Sequence, residues 1–269
     1  MPGAGRAGSA PRRKRFGQHF LHDPAVIARI VQAVAPRPGE HLLEIGPGRG
    51  ALTGPLLACG AATLDAIEID RDLAASLRAR FAQARELTLH ESDALDFDFT
   101  ALARSRGGPL RVVGNLPYNI STPLLFRLLA HAPALADLTV MLQREVVARL
   151  AAAPGGRDYG RLTVMLAPHA EVRQLFAVGP GAFQPPPKVW SAVVHIGMRR
   201  APLFAPSGRY AEVVAAAFAQ RRKTLRNALR RLLTAEEIQA CGVEPGARPE
   251  TLAPQAFNTL AQALDRTAR

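Results

Sequence analysis

Glu44-Ile45-Gly46-Pro47-Gly48-Arg49-Gly50 stands directly after the apolar stretch His41-Leu42-Leu43, where a buried strand gives way to a helix. Glycines at such a junction let the backbone come close to a ligand, because a Cβ would fill the space that an adenosine and its tail need. Alone they do not separate one nucleotide-type cofactor from another, since nicotinamide enzymes use a related loop. Two acids downstream narrow the choice. Glu68 closes a second apolar run, Ala61 to Glu68, twenty positions beyond Gly48, where a carboxylate can accept both hydroxyls of a ribose. Asp93 follows a third run, Leu87 to His90, in position to accept an adenine amino group.

Outward from that centre, short apolar runs alternate with helix-period stretches, the pattern of a doubly wound α/β sheet. Leu110 to Val113 reads as a fourth strand and Leu138 to Leu142 as a fifth, with helices over Arg71 to Arg80 and Thr122 to Ala130. Ser121-Thr122-Pro123 supplies a hydroxyl N-cap and a proline for the first helical position. Val172 to Val178 and Ser191 to Ile196 read as a closing antiparallel pair around the loop Pro185-Pro186-Pro187. Ala201 to Gly208, with two prolines and a glycine, reads as a linker. Beyond it the pattern is helical. Leu225, Leu229, Leu232 and Leu233 form an apolar stripe, with Arg222, Lys223, Arg226 and Arg230 on the adjoining face.

Gly114-Asn115-Leu116-Pro117-Tyr118 follows the fourth strand, at the edge where open α/β sheets gather their reactants. Hydride transfer has no use for such a motif. An exocyclic adenine amine is a poor nucleophile because its lone pair is delocalised into the ring. The Asn115 side-chain oxygen and the Leu116 carbonyl can each accept one N–H bond from it, favouring a pyramidal nitrogen that attacks an activated sulfonium methyl. Pro117 fixes the turn, and Tyr118 offers a face for a base taken out of its stack. Phe183 heads the proline-stiffened segment Phe183 to Val189, and is expected to be an exposed ring that closes on the base from the other side.

Composition agrees with a polyanionic partner. The 269 residues carry 34 Lys plus Arg against 22 acids, a net charge of +12 with a pI near 11.1. The apolar runs are too short to span a bilayer. Cys59 and Cys241 lack metal or disulfide spacing and read as reduced thiols of a cytoplasmic protein. His19 and His22 have no further ligand at metal spacing, so no metal is expected. Arg6, Arg12, Arg13, Lys14 and Arg15 precede Asp23 without an acid or an apolar signal region, which suits a basic arm over residues 1–22. Nothing demands more than a monomer.

Several longer motifs occur in a familiar order: Lys14-Arg15-Phe16-Gly17-Gln18-His19-Phe20-Leu21, the Glu44 to Gly50 loop, and Gly114-Asn115-Leu116-Pro117-Tyr118-Asn119-Ile120-Ser121-Thr122-Pro123. Gln143-Arg144-Glu145-Val146, Tyr159-Gly160-Arg161-Leu162, Phe183 to Val189 and Gln220-Arg221-Arg222-Lys223-Thr224-Leu225-Arg226-Asn227 follow. On these the chain resembles the ribosomal RNA adenine N6,N6-dimethyltransferases, over nearly its whole length, and within them the bacterial small-subunit branch.

The resemblance implies a class I methyltransferase fold, a Rossmann-like sheet of seven strands over 23–203 with a small all-helical domain over 204–269. It implies S-adenosylmethionine as cofactor, with contacts at His19, Leu21, Gly46, Glu68, Asp93 and Asn115, beside Gly48 of the glycine loop. Many members carry asparagine at the position of His19, whose imidazole is expected to donate to the cofactor carboxylate. The implied substrate is a pair of adjacent adenosines near the 3′ end of 16S rRNA in the immature small ribosomal subunit. Arg221, Arg222, Lys223, Arg226 and Arg230, with Arg231, would then meet rRNA phosphates. The alternatives are a 23S rRNA adenine methyltransferase of the macrolide-resistance type and a non-catalytic RNA-binding assembly factor. An enzyme methylating DNA adenine or a protein amide is disfavoured, because Leu116 stands where those motifs carry a proline.

Overall fold

The computed structural model describes residues 18–220 and 222–267. The basic arm through Gly17, and Arg221, lie outside the described residues. In chain order the elements are β1 (Phe20–Leu21), α1 (Pro24–Val34), β2 (His41–Ile45), α2 (Thr53–Leu57), β3 (Thr63–Glu68), α3 (Arg71–Arg80), β4 (Leu87–Glu91) and α4 (Phe99–Arg106). There follow β5 (Leu110–Asn115), α5 (Ser121–Ala130), β6 (Leu135–Gln143), α6 (Arg144–Leu150), α7 (Arg161–Leu166), β7 (Ala170–Val178), β8 (Phe183–Gln184) and β9 (Ser191–Met198). The helices α8 (Tyr210–Phe218), α9 (Leu225–Ala228), α10 (Ala235–Ala240) and α11 (Pro254–Thr267) complete the chain.

Seven strands form one sheet in the order β4-β3-β2-β5-β6-β9-β7. The first five are parallel, and β9 runs antiparallel to both β6 and β7. From β2 the chain winds one way to β3 and β4, then returns to lay β5 on the other side of β2. That reversal opens a crevice beyond the carboxyl ends of β2 and β5. Side chains alternate across the sheet as the pleat requires. Leu43, Ile45, Ile67, Val112 and Val140 enter one apolar core, while Leu42, Leu64, Val113, Met141 and Val193 enter the other.

A third core belongs to the helices. Tyr210, Val213, Val214, Leu225, Leu229, Leu233, Phe257 and Leu260 pack there, joined by Tyr159 and Val164 from the segment before β7. The Tyr159 hydroxyl donates to the Leu252 carbonyl at 2.8 Å and the Tyr210 hydroxyl to that of Val164 at 2.8 Å. The stretch read as a linker is tied to α11. Ser207 N–H donates to Asn258 Oδ1 at 2.8 Å, Asn258 Nδ2 to the Ala205 carbonyl at 3.1 Å, and Ser207 Oγ to Asp265 at 2.6 Å.

One local expectation is corrected. Ile120, not Ser121, holds the cap position of α5. Ser121 is already helical, and its Oγ donates to the Tyr118 carbonyl at 3.1 Å, because Pro117 accepts the Ile120 N–H at 3.2 Å and turns the chain one residue sooner. The leucine stripe enters the helical core, with Leu225, Leu229 and Leu233 buried and Leu232 packed against them. Helix α9 ends at Ala228, its first turn anchored by Leu225 N–H to the Ala247 carbonyl at 2.9 Å and Arg226 N–H to that of Pro245 at 3.0 Å.

Candidate functional site

One cavity of about 250 Å³ opens at the crevice between β2 and β5. His19, Leu21, Gly46, Gly48, Glu68, Asp93, Asn115, Leu116, Pro117 and Tyr118 all line it. Arg222, Lys223, Arg226 and Arg230 do not, and are exposed on the helical part.

The glycine loop gets its shape from left-handed turns that side chains resist. Gly46 has φ 70° and Gly48 φ 58°, and a Cβ on Gly48 would come within 3.2 Å of the Phe20 ring. Two carboxylates sit behind the loop. Glu68 accepts the Gly48 N–H at 3.0 Å through one oxygen and the Asp70 N–H at 3.0 Å through the other. Glu44, 1% exposed, accepts from Thr53 Oγ1 at 2.7 Å. Burial pushes the Glu44 carboxyl up to about 7, and the nearby Glu68 adds to the rise. Burial likewise raises Glu68 above the usual carboxylate range. Two desolvated carboxyls at one cavity floor favour a ligand that brings hydroxyl donors or a positive charge. Asp93 turns the chain after β4, with its Oδ1 accepting the Leu95 N–H at 2.9 Å.

On the facing side, the Asn115 amide nitrogen donates to the His19 carbonyl at 2.9 Å. That bond fixes which end of the amide is the oxygen and leaves Oδ1 as an acceptor. Leu116 N–H donates to the Met141 carbonyl at 3.1 Å, so the loop is anchored to β6. The Tyr118 hydroxyl pairs with Ser191 Oγ at 2.5 Å, and burial raises its pKa, which keeps the phenol neutral. The His19 and Tyr118 rings lie 5.7 Å apart, tilted by 33°.

His19 lines the cavity and is held from the far side. Its Nδ1 is 2.8 Å from the Pro185 carbonyl, and since a carbonyl only accepts, Nδ1 carries the proton.

Phe183 is not the exposed ring expected from the sequence. Its ring is 2% exposed, inside the core with Leu21, Val178 and Val193, and it does not line the cavity. The cause is a pairing the sequence pattern did not reveal: β8 lies antiparallel to β1, with Phe183 opposite Leu21.

Among the cavity or site residues to which the sequence reading gave no role are Glu44, Phe20, Ile69 and Ser191. Glu44 had a signal, since a charged residue inside a buried apolar strand demands a partner. The others carry none that periodicity can detect. Among the described residues, no group of three or more His, Cys, Asp and Glu side chains could hold a metal ion, and no helix is long and apolar enough to cross a membrane.

Comparison with known proteins converges. Residues 10–266 match the family model for ribosomal RNA adenine dimethylase. The ribosomal RNA small subunit methyltransferase A of Pseudomonas aeruginosa is 56% identical over 254 residues, covering 94% of each chain. The protein of the same name from Nitrosococcus oceani is 57% identical over 243 residues, 89% of this chain and 91% of that one. Among solved structures, the 23S rRNA methyltransferase ErmE is 30% identical with a TM-score of 0.69, covering 91% of this chain and 99% of its own. A dimethyladenosine transferase from Plasmodium falciparum shares the fold with a TM-score of 0.79 at 24% identity, over 93% of this chain and 98% of its own.

Proposed function

The chain belongs to the ribosomal RNA adenine dimethylase family, and from that premise we infer that it carries methyl groups from S-adenosylmethionine to N6 of two adjacent adenosines near the 3′ end of 16S rRNA. Each adenosine receives two methyls. The observation that carries this reading is the meeting, in one cavity, of the glycine loop and its carboxylates with the Asn115 loop.

The residues suit this cofactor. Gly46 and Gly48 give close backbone approach, Glu68 retains lone pairs for ribose hydroxyls, Asp93 is a carboxylate for the adenine amine, and Leu21 supplies an apolar wall. Glu44 and Glu68 together favour a ligand with positive charge. When bound, S-adenosylmethionine supplies an electrophilic methyl on a sulfonium centre. Asn115 Oδ1 and the Leu116 carbonyl accept the two amine N–H bonds outside the base plane, and so free the nitrogen lone pair from the ring. Pro117, having no N–H, leaves that turn to carbonyls. Tyr118 presents its ring to the base, and the neutral hydroxyl bonded to Ser191 holds it there. No residue need act as a base, because the methylated amine loses its proton to water. His19 braces Asn115 through its carbonyl, and Phe183 supports the wall from behind Leu21.

Residues 23–203 carry this chemistry in our reading, and residues 204–269 dock a single copy on the immature small subunit in the cytoplasm. Arg222, Lys223, Arg226 and Arg230, with Arg221 and Arg231, meet rRNA phosphates there. Neither a metal nor a membrane is involved.

The test is incubation with labelled S-adenosylmethionine and unmethylated ribosomal particles, followed by nucleoside analysis. Label in N6,N6-dimethyladenosine from small subunits is expected. Label confined to large subunits, or none in adenosine, would overturn the assignment; the higher identity to small-subunit enzymes than to the 23S enzyme favours the first outcome.

A further inference from the structure

Trp190 is the chain's sole tryptophan, and it is 52% exposed beside Val189 at 44%. Two large apolar side chains standing together in water mark a contact surface more often than lone exposed residues do. Their place in the fold says what the contact meets. Strand β9 is antiparallel to β6, so its start, with Ser191 opposite Gln143, lies at the catalytic edge of the sheet. Ser191 bonds the Tyr118 hydroxyl, and Trp190 is its covalent neighbour. The same segment passes the cavity once more upstream, where the Pro185 carbonyl holds His19.

Trp190 is also a built feature, not a loose tip. Its carbonyl accepts the Arg144 N–H at 2.9 Å. Its six-membered ring lies over Gly179 at van der Waals range, with a Cβ there reaching 3.6 Å from the ring. About half of the residue's surface remains in water. Lys188, two positions before Trp190, and Arg144, whose backbone bonds the Trp190 carbonyl, are both exposed and bring positive charge to this part of the surface. An exposed aromatic plate next to exposed cationic residues, on the segment that bonds both Tyr118 and His19, matches the recognition of unpaired nucleotides.

We propose that Trp190, packed beside Gly179 on the segment that bonds Tyr118 and His19, is a stacking platform for a nucleotide adjacent to the target adenosine. It rests on the RNA-methylating reading given above. Its occupant is an unpaired base of the substrate RNA. The platform would take up a neighbour's base while the adenosine itself enters the cavity, offsetting part of the cost of unstacking the hairpin loop.

The lone tryptophan makes the test direct, since all indole emission comes from this residue. The full-length protein is titrated with a synthetic RNA hairpin carrying two adjacent adenosines in its loop. Quenching that saturates with the hairpin is expected, with no change from S-adenosylmethionine alone. Trp190→Ala should raise KM for small subunits about tenfold, the size of one base–aromatic stack, while Trp190→Phe restores most of it. Calorimetric cofactor affinity and the unfolding temperature of both variants should match the parent. Emission that ignores the hairpin, or responds only to intact subunits, would overturn the platform, the latter assigning Trp190 to a protein contact. An unchanged KM in Trp190→Ala would do the same. A parent protein that methylates no small subunit would instead sink the functional reading itself.

Discussion

Asn115 donates one amide hydrogen to the His19 carbonyl and keeps its oxygen for the reacting amine in the proposed reaction. Asn115→Ala removes that oxygen without disturbing the β5 ladder. A loss of roughly 100-fold or more in kcat is expected, the usual cost of deleting one preorganised polar partner. Single-turnover methylation checks it, and rates within a few-fold of the parent would remove Asn115 from the mechanism. Glu44 makes a different prediction. Burial raises its folded-state pKa from 4.5 to about 7, so the folded protein holds this proton more tightly than the unfolded chain does. Its contribution to stability is present at low pH and lost as pH rises between those values. The loss amounts to about 3 kcal/mol, at 1.36 kcal/mol per pH unit. Glutamine keeps the Thr53 bond and cannot ionise. Glu44→Gln should therefore match the ligand-free parent at pH 4.5 and exceed it in urea unfolding at pH 8. A stability gap that is equal at both pH values would refute the assignment.

At the scale of elements, the site depends on how closely β2 and β5 approach. A Cβ on Gly114 would run into the Ile45 backbone oxygen, and neither strand can yield by changing a rotamer. Gly114→Ala is expected to push the two strand ends apart, separating the glycine loop from Asn115. Stability should fall by about 1–3 kcal/mol, as overpacking does, and calorimetric binding of S-adenosylmethionine should weaken with it. Gly181→Ala, where nothing lies within 4 Å, is the control and should leave both unchanged. Equal behaviour of the two variants would show that strand approach does not set the site. The short pair β1–β8 works on the same scale. It places Leu21 on the cavity and turns Phe183 into the core behind it.

Across the whole molecule, charge and shape are divided. The sheet holds a cavity of desolvated carboxylates, while the helical part exposes Arg222, Lys223, Arg226, Arg230 and Arg231, with no acidic partner for them among the described residues. Replacing Arg222 and Arg226 by alanine should weaken binding to small subunits. It should also flatten the log–log salt dependence by roughly 1.4 to 1.8, from about 0.7–0.9 per lost phosphate contact. An unchanged slope would move the docking surface elsewhere. Most of this architecture is legible in residue order. The strands at His41–Ile45, Thr63–Glu68 and Leu110–Asn115, the glycine loop, Glu68, Asp93 and the Asn115 motif declare themselves, because periodicity, turn chemistry and the needs of a bound nucleotide act over a few neighbouring residues. What the chain order cannot declare is set by residues far apart. Phe183 is buried because Leu21 lies across from it, and the His19 proton sits on Nδ1 because the Pro185 carbonyl faces it. Ser191 joins the site because its strand brings it to the Tyr118 hydroxyl. Exposure, tautomer and proximity are properties of the packed whole, where a partner 73 to 166 positions away decides what one side chain does.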